Sequence, residues 1–561
     1  MRTLLTTLHS KYIHASLALP YLAGFCQDGC GELLIREYTV HEPKESVLDR
    51  IIALQPDVVA FSVYLWNRVS TLELVACLKQ ISPSLKIVLG GAEVSFESEE
   101  FFDHYPVDAL ICGEGELPLQ YLLATWNGGD LPQAMPGLRL PGQPVVAGRS
   151  LLADLDRLPS PFKLGLVDLS RGLVYYESSR GCPYECSFCM SALDDQVRSF
   201  SLDRIFSDLQ LLIDAKVPQI KFVDRTFNYN SQRSRKIFAF ILKNNISSHF
   251  HFEIGAHLLD DETLQLLETV PENMFQFEIG VQSTLPATLQ QIGRRASLEQ
   301  LAENVTRLRR AGNIHLHLDL IAGLPGESYP QFLKSLDWTA RLQPHHLQIE
   351  PVKLLPGAPL RQQAEELGIR YDPNPSYSVL RSGDISYLEL QKLRGISRLL
   401  DLFVNSGRFN YLMPHLVAAS GGLARCLEDI DRYWRAQNLY QGTKHLRELF
   451  HHLFAYLQQR FPASEIGPYR EALARDYAHA ERVVGGSEPA FFRVDLDEAE
   501  KNLVRLQVKQ EISLLELSGK VQFFATAFEH LPEHPGRAIL IFLYLNKTGS
   551  GQRVKEVLLK G

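Results

Sequence analysis

Cysteine is scarce in this chain, with 8 among 561 residues, and three of the eight fall within one short segment. Long apolar runs are also lacking: the longest conspicuous one, 538–545, is too short to cross a bilayer and suits a core strand. The first residues lack the apolar core of a signal peptide, since Lys11 and several histidines interrupt them. These absences argue against a secreted disulfide framework and a membrane protein. They predict a cytoplasmic location, where thiols stay reduced.

The chain has no excess of basic residues. Its net charge is -8 at pH 7, and charged residues make up 22% of it. Without a basic field, a nucleic-acid partner is not favoured. The sequence contains neither a G-x-G-x-x-G run nor a Walker A run, so nucleotide binding of those types is not favoured either. The expected partner is a small-molecule or unknown substrate, which nothing in the sequence identifies.

Three of the cysteines, Cys182, Cys186 and Cys189, have the spacing C-x3-C-x2-C. Their segment is rich in glycine, proline and serine, which indicates a loop. Three thiolates can hold three irons of a cubane cluster and leave the fourth iron open to a small molecule. A zinc site and ordinary buried cysteines are the alternatives. Zinc needs further ligands, and no cysteine or histidine lies between Cys189 and His249.

The run Arg-Gly-Cys-Pro-Tyr-Glu-Cys-Ser-Phe-Cys-Met at 180–190 resembles the cluster loop of the radical S-adenosylmethionine (SAM) superfamily. The resemblance implies an enzyme with a [4Fe-4S] cluster whose open iron chelates SAM. One-electron transfer then splits SAM into methionine and a 5′-deoxyadenosyl radical. It also implies that Phe188 lies against the cluster and adenine. An external one-electron reductant of the flavodoxin or ferredoxin type is the implied partner.

Residues 1–130 alternate between strand-like and helix-like segments, which predicts a doubly wound parallel sheet, a Rossmann-like α/β fold. Ligands of such sheets bind beyond the carboxyl ends of the strands. Polar and glycine residues follow three of the predicted strands: Ser62 and Tyr64, then Gly90, Gly91 and Glu93, then Gly113 and Glu114. The glycines would let a ligand approach the backbone, although Gly90 and Gly91 also suit a tight turn by themselves.

The Gly-Gly-x-Glu-x-Ser run at 90–95 and the Gly-Glu-Gly-Glu turn at 113–116 resemble the cobalamin-binding domain of the B12-dependent branch of that superfamily. The resemblance implies bound cobalamin, with the seven residues just named as its contacts. The D-x-H-x-x-G loop that supplies a histidine to cobalt in many other cobalamin domains is missing. We therefore expect cobalt without a histidine ligand. His9 or His14 as that ligand is the alternative.

The linker 131–170 is rich in proline and glycine, and strands and helices alternate six times over 171–360. Strands are predicted at 173–177, 219–223, 251–254, 275–279, 315–321 and 346–351. The count fits the partial (β/α)6 TIM-like barrel of radical SAM enzymes, whose chemistry lies at the carboxyl ends of the strands. Residues 361–561 are predicted to be mostly helical, with strands at 491–495, 520–528 and 538–547. This region resembles an uncharacterised C-terminal domain of one subgroup of B12-dependent radical SAM proteins.

Further SAM contacts are implied by the resemblance of the strand ends to family motifs. Asp224 would hold the SAM amino group, although a helix N-cap is the alternative. Glu253 would meet the ribose hydroxyls or the sulfonium. Gln282 and Ser283 match an I-G-x-Q-S turn that lines the pocket.

Two more sets of residues complete these predictions. Arg295 would pair with the SAM carboxylate, because guanidinium binds carboxylate bidentately, or it belongs to a solvated basic pair. Gly323 and Leu324 lie in a region that supports adenine in the family. The resemblance as a whole implies cobalamin-dependent methyl transfer to an unactivated carbon of an unknown substrate. A cobalamin-dependent radical rearrangement or oxidation, and a cobalamin-independent enzyme that modifies tRNA or protein, are the alternatives.

Overall fold

The computed structural model describes residues 1–11, 14–96, 101–194, 196–492, 496–514, 521–545 and 553–559. The chain divides into two compact units. The first comprises Met1–His345 and Ile349–Leu390, and the second comprises His346–Gln348 and Gln391–Gly561. The finer division at 130, 170 and 360 stays a prediction.

The first unit begins with a six-stranded sheet flanked by helices. Its elements are β1 (Arg2–His9), α1 (Ala18–Phe25), β2 (Glu32–Thr39), α2 (Lys44–Ala53), β3 (Val58–Ser62), α3 (Arg68–Ile81), β4 (Lys86–Gly90), α4 (Phe101–His104), β5 (Ala109–Ile111), α5 (Glu116–Gly128) and β6 (Leu138–Arg139). All five residues of β3 are buried and apolar or small, as expected for a parallel strand covered on both faces.

The strand order is β2-β1-β3-β4-β5-β6. The first five strands are parallel, and β6 pairs antiparallel with β5. The chain therefore adds strands to both sides of β1, and the switch point lies between β1 and β3. A crevice opens at such a point beyond the carboxyl ends of the strands, which is where a ligand is expected. Strand β6 comes from the segment predicted as a linker.

A second six-stranded sheet follows in the first unit. Its elements, with the short strands that accompany them, are β7 (Leu173–Tyr176), β8 (Ser179–Arg180), β9 (Arg198–Ser199), α6 (Leu202–Asp214), β10 (Gln219–Phe222), α7 (Ser231–Asn244), β11 (His249–Ile254), α8 (Asp261–Leu267), β12 (Phe275–Gln282), α9 (Pro286–Gln291), α10 (Leu298–Ala311), β13 (His315–Ala322), α11 (Tyr329–Arg341), β14 (His346–Pro351), α12 (Pro359–Gln362), β15 (Arg370–Tyr371) and β16 (Val379–Arg381).

The order β14-β13-β12-β11-β10-β7 leaves the first and last strands unpaired with each other, so the barrel is partial. The strands alternate along their length. On β12, for example, Phe275, Phe277 and Ile279 are buried, while the residues between them are partly exposed. Six strand–helix repeats and the doubly wound sheet confirm the predicted α/β fold class.

The second unit contains helices and a three-stranded antiparallel sheet. Its elements are α13 (Tyr387–Leu400, which begins in the first unit), α14 (Leu412–Ser420), α15 (Leu423–Ala436), α16 (Leu446–Arg460), α17 (Gly467–Ala480), α18 (Glu498–Leu514), β17 (Gln522–Leu531), β18 (His534–Leu545) and β19 (Arg553–Leu558). Val504 and Val508 of α18 share a core with Ile539 and Ile541 of β18.

The predicted strand at 491–495 is not a strand at Phe491 or Phe492, and 493–495 lie outside the described residues. The predicted strand at 520–528 is found in β17 from Gln522 onwards, and residue 520 lies outside the described residues. Within the described ranges, no helix has the length and apolar character needed to cross a membrane.

Candidate active site

A short hairpin holds the cysteine loop at its base. The loop begins after β8 and returns to β9, and these two strands pair antiparallel. Gly181 lies between β8 and Cys182 with φ of 91°, and a Cβ there would lie 2.3 Å from the carbonyl oxygen of Gln196. The backbone N–H of Cys182 donates to the carbonyl of Asp194 at 3.2 Å. Glycine is therefore required where the chain turns into the loop.

The middle of the loop is anchored to the barrel. The N–H of Ser187 donates to the carbonyl of Ile292 just after α9, at 2.9 Å. The carbonyl of Ser187 accepts from the N–H of Leu360 in α12, at 2.8 Å. Within the loop, the N–H of Cys189 donates to the carbonyl of Cys186 at 2.9 Å. Hydrogen bonds to the barrel and within the loop therefore contribute to the loop conformation.

Arg294 is the cation that the structure places beside a cysteine thiol. Its Nη1 lies 4.0 Å from Sγ of Cys186, and its Nη2 donates to the carbonyl of Gly280 at 2.9 Å. Burial raises the pKa of the Cys186 thiol, and Arg294 opposes that shift. Arg295, the arginine singled out from the sequence, is exposed. Arg294 thus joins the cysteine loop to strand β12.

The spacing of the thiols distinguishes between the two metal sites considered from the sequence. Ligands on one zinc lie roughly 3.8 Å apart, given Zn–S bonds of about 2.3 Å. In the described part of the chain, the group of three possible metal ligands with all donor atoms within 4.8 Å of one another is Glu471, Glu529 and His530. The three cysteines do not form such a group. As placed, the three thiols are therefore too far apart to bind one zinc together.

A cavity of about 510 Å³ lies at the carboxyl ends of the N-terminal strands. Six of the predicted cobalamin contacts line it: Ser62, Tyr64, Gly90, Gly91, Gly113 and Glu114. Residues of the barrel line the same cavity: Glu177, Arg180, Val223 and Arg225. The cavity therefore belongs to both parts of the first unit, and Arg180 is two residues from Cys182.

Glycine at position 91 is required by the backbone. Gly91 has φ of 103°, and a Cβ there would lie 2.5 Å from the carbonyl oxygen of Val63. The hydroxyl of Ser95 donates to the carbonyl of Gly91 at 2.8 Å and accepts from the N–H of Gly113 at 3.0 Å. Ser95 thus ties together the two glycine turns that form one wall of the cavity. The same glycine residues therefore form a tight turn and line the cavity.

Three family models match the chain. The B12 binding domain matches residues 4–123, and the radical SAM superfamily matches residues 176–339. The chain therefore contains a B12-binding domain and a radical SAM domain. The third model, a protein of unknown function (DUF4080), matches residues 365–524.

The chain is similar to several curated proteins. The cobalamin-dependent radical SAM methyltransferase TokK of Streptomyces tokunonensis is 28% identical over 359 residues, which is 60% of this chain and 52% of TokK. The hopanoid C-3 methylase of Methylococcus capsulatus is 30% identical over 286 residues, which is 48% of this chain and 53% of the methylase. The chain thus spans about half the length of these curated relatives.

The fold is similar to that of a solved radical SAM enzyme. The structure of the cobalamin-dependent SAM radical enzyme OxsB with aqua-cobalamin and SAM bound matches with a TM-score of 0.60. The match covers 92% of this chain and 82% of OxsB, at 14% sequence identity. At that identity the likeness concerns the fold.

The two histidines considered as cobalt ligands make other contacts. Neither histidine considered from the sequence is among the lining residues. Nε2 of His9 lies 3.3 Å from a carboxylate oxygen of Glu37, and Nδ1 of His14 lies 2.5 Å from the hydroxyl of Tyr175. Four aromatic residues line the cavity: Tyr21, Phe61, Tyr64 and Phe96. The ring of Tyr64 stacks on that of Trp66, with 4.7 Å between their centroids.

Glu93 is the predicted cobalamin contact that lies elsewhere. It is buried and is not among the cavity-lining residues. Its carboxylate accepts from the hydroxyl of Tyr377 at 2.8 Å and lies 3.5 Å from Nη1 of Arg68. The sequence motif placed Glu93 at the right turn, but its side chain points towards Tyr377 and α3.

A group of buried ion pairs links the B12-binding domain to the cysteine loop. Glu114 pairs with Arg198, which donates to it from Nη1 at 3.1 Å and also from Nη2. Arg180 lies 2.8 Å from Glu116 and 3.1 Å from Glu177. Burial by itself would raise the pKa of Glu114, but the two arginines outweigh it and lower that pKa. These ion pairs hold the loop against the wall of the cavity.

Asp224 and Glu253, two of the predicted SAM contacts, differ in how they are engaged. Asp224 is buried, and its carboxylate accepts from the hydroxyl and N–H of Ser178 and from the hydroxyl of Ser179. It therefore fixes the segment that enters the loop, and it is not the N-cap of α7, which is Asn230. Glu253 lies beside Glu278 on the neighbouring strand. Burial and then the Glu278 charge raise the pKa of Glu253 to about 7.

The other predicted SAM contacts lie on loops after the strands. Gln282 has φ of 70° at a bulge between β12 and β13. Ser283 is buried and donates to Glu327 at 2.8 Å. Gly323 and Leu324 follow β13: Gly323 has φ of 86°, and Leu324 is buried. Phe188 belongs to the cysteine loop and is partly exposed. Their contact with SAM stays a prediction.

Proposed function

We propose that this protein uses a [4Fe-4S] cluster, SAM and cobalamin to transfer a methyl group to an unactivated carbon of a small molecule. One observation carries the proposal. A single cavity is lined both by the glycine turns of the B12-binding domain and by Arg180 at the entrance of the cysteine loop. A corrinoid in that cavity would therefore lie next to the site at which SAM is split.

Named residues would hold each group. The thiolates of Cys182, Cys186 and Cys189 would bind the cluster, which leaves one iron for SAM. The cavity described above would hold cobalamin. When bound, the cluster supplies the electron that splits SAM and the corrinoid carries the methyl group. Overall, R–H, two SAM and two electrons from an external reductant give R–CH3, S-adenosylhomocysteine, methionine and 5′-deoxyadenosine.

The residues of the chain itself position and tune these groups. Arg294 presents a positive charge to the Cys186 thiolate, which favours the reduced cluster. Asp224 holds Ser178 and Ser179, so the entrance of the cysteine loop keeps one conformation. Glu253 is available to hydrogen-bond the ribose or to face the sulfonium of SAM.

Methyl transfer is supported by the similarity of the chain to two methyl-transferring enzymes. TokK is a cobalamin-dependent radical SAM methyltransferase, and the enzyme of Methylococcus capsulatus is a hopanoid C-3 methylase. Because this chain spans about half of each, its own activity is inferred. The implied partners are a small-molecule substrate and a reductant of the flavodoxin or ferredoxin type, in the cytoplasm.

The experiment is anaerobic reconstitution with iron, sulfide and hydroxocobalamin, followed by addition of a reductant and [methyl-³H]SAM. We expect about four irons and one corrinoid per chain, and 5′-deoxyadenosine together with S-adenosylhomocysteine. Formation of 5′-deoxyadenosine with bound corrinoid but no S-adenosylhomocysteine would indicate rearrangement or oxidation. Absence of corrinoid binding would favour the cobalamin-independent class.

A further inference from the structure

The inner wall of the barrel is charged. The alternation along β10 to β13 places six charged or titratable side chains on the face opposite the buried apolar ones, which is the face towards the lumen: Lys221, His251, Glu253, Glu278, His317 and Asp319. Their neighbours along the strands are buried apolar residues such as Phe252, Phe277 and Leu318. A barrel interior is ordinarily packed with branched apolar side chains. This lumen departs from that pattern along more than one layer of residues.

Five of these side chains form two groups, which we call the lumen wall: Lys221, His251 and Glu278, with His317 and Asp319. Nε2 of His251 lies 3.0 Å from Glu278, and Nζ of Lys221 lies 3.4 Å from the same carboxylate oxygen. Nε2 of His317 lies 3.0 Å from Asp319. The hydrogen bond from His251 is the main cause that lowers the pKa of Glu278 to about 2.

The side chains of the lumen wall are partly accessible to solvent. The side chains of Lys221, Glu278 and Asp319 keep 26%, 27% and 21% of their surface exposed, although they point into the barrel. A barrel filled by its own side chains would leave almost none. The lumen is therefore open beside the charged groups, and water or a ligand can contact them.

The lumen wall also adjoins the cysteine loop. Glu278 is two residues before Gly280 on β12, and the carbonyl of Gly280 accepts from Arg294. The same guanidinium reaches Cys186. Arg294 thus contacts both β12, the strand that carries Glu278, and the proposed cluster ligand Cys186. A molecule held against the wall would lie within the same barrel as the SAM that is split at the loop.

Charged groups set the chemistry of such a molecule. An apolar ligand would displace water from the ion pairs and return no hydrogen bonds, which costs several kcal/mol for each stripped charge. A ligand with hydroxyl, amine or carboxylate groups would replace those waters. Clusters of perturbed titratable groups in a cleft are also where function is concentrated.

We propose that the lumen wall recognises the substrate, and that the substrate is a small water-soluble molecule with hydrogen-bonding groups, not a hydrocarbon or lipid. The inference rests on the proposed methyl transfer. It adds a binding site and a substrate class to that function. The polar groups of the substrate bind at Glu278, Lys221 and His317, and its reacting carbon points towards the cysteine loop.

The test uses the reconstituted holoprotein with [methyl-³H]SAM and a reductant. Aqueous and organic extracts of cells of the source organism are supplied separately, and label is counted in products other than SAM and S-adenosylhomocysteine. We expect at least tenfold more label in a water-soluble product of the aqueous extract. A labelled product from the organic extract would overturn the inference alone. Absence of label from both would overturn the proposed methyl transfer and this inference with it.

A variant locates the site. Glu278→Gln removes the charge that Lys221 and His251 share, and we expect at least a tenfold rise in the apparent KM for the active aqueous fraction. Iron and corrinoid content, measured in the same preparation, report whether the variant has folded. Glu272→Gln, an exposed glutamate in the turn before β12, is the matched control and should behave as wild type. A wild-type KM in the Glu278→Gln holoprotein would remove the lumen wall from substrate recognition.

Discussion

Nη2 of Arg180 lies 2.8 Å from a carboxylate oxygen of Glu116, which is buried, while Arg180 keeps 14% of its side-chain surface exposed. Arg180 comes two residues before Cys182, and Glu116 is the first residue of α5. The ion pair therefore links the proposed cluster site to the wall of the cavity in the B12-binding domain. Because Arg180 also pairs with Glu177 and Glu114, its position is determined from three sides.

Glu116→Gln should lower the free energy of unfolding of the first unit by about 2 kcal/mol, since it removes one partner from a buried ion pair. The two remaining carboxylates keep the loss below that of a fully unpaired arginine. Urea denaturation of the metal-free chain measures the change. Glu32→Gln is the control, because Glu32 pairs with Arg2 at the surface and should contribute less than about 1 kcal/mol. Equal effects of the two changes would argue against the structural role of Arg180.

Each of Cys182→Ala, Cys186→Ala and Cys189→Ala should reduce bound iron from about four per chain to less than about one, because a cube held by two thiolates loses its anchoring. SAM cleavage should fall below detection. Iron analysis and 5′-deoxyadenosine assay measure the two results. Cys77→Ala, on helix α3 beside the N-terminal sheet, should leave bound iron and SAM cleavage unchanged. Full SAM cleavage by the triple variant would refute the site.

Arg294→Gln should lower the reduction potential of the cluster on the order of 50 mV, which is about 1 kcal/mol for one electron. The positive charge beside Cys186 favours the reduced state, so its removal favours the oxidised state. Redox titration followed by electron paramagnetic resonance measures the shift. Arg294→Lys should lower the reduction potential by less than Arg294→Gln, because lysine keeps the positive charge. Arg295→Gln, at an exposed position, should leave the reduction potential unchanged. A larger change of the reduction potential in Arg295→Gln than in Arg294→Gln would contradict the placement of the two arginines.

The sequence was sufficient to predict the fold class, because the fold class depends on local patterns. Continuous apolar strands such as β3 and the regular strand–helix alternation define a parallel α/β fold. Cysteine spacing within eight residues is likewise a local feature. Six of the seven residues chosen at the strand ends line the cavity, because carboxyl ends of parallel strands meet at one edge.

The remaining site residues depend on contacts that spacing does not encode. Arg294 and Arg295 are adjacent, and only the turn after α9 determines which one faces Cys186. Arg198 lies beyond the loop in sequence and meets Glu114 only when the two parts of the first unit pack together. Glu93 shares a turn with Gly91, yet its partner Tyr377 is 284 residues away. Long-range pairing of this kind leaves no periodic signal in a single sequence.

Glu253 should make the stability of the protein depend on pH. Burial and Glu278 raise its pKa from an ordinary 4.5 to about 7, so folding favours the protonated carboxyl. A raised pKa contributes stability below pH 4.5, and that contribution is lost as the pH rises through 7. The full effect is about 3 kcal/mol, reduced to about 2 kcal/mol because Glu253 is only partly buried.

Glu253→Gln removes this titration while keeping the shape of the side chain. The free energy of unfolding of the variant should exceed that of wild type by less than about 1 kcal/mol at pH 5 and by about 2 kcal/mol at pH 8. Urea denaturation of both proteins at the two pH values measures the difference. Burial also raises the pKa of Glu177 and of Asp476 to about 7, so wild type and variant share those contributions and only their difference isolates Glu253. A difference that is the same at pH 5 and pH 8 would mean that Glu253 ionises in the folded protein as it does in water.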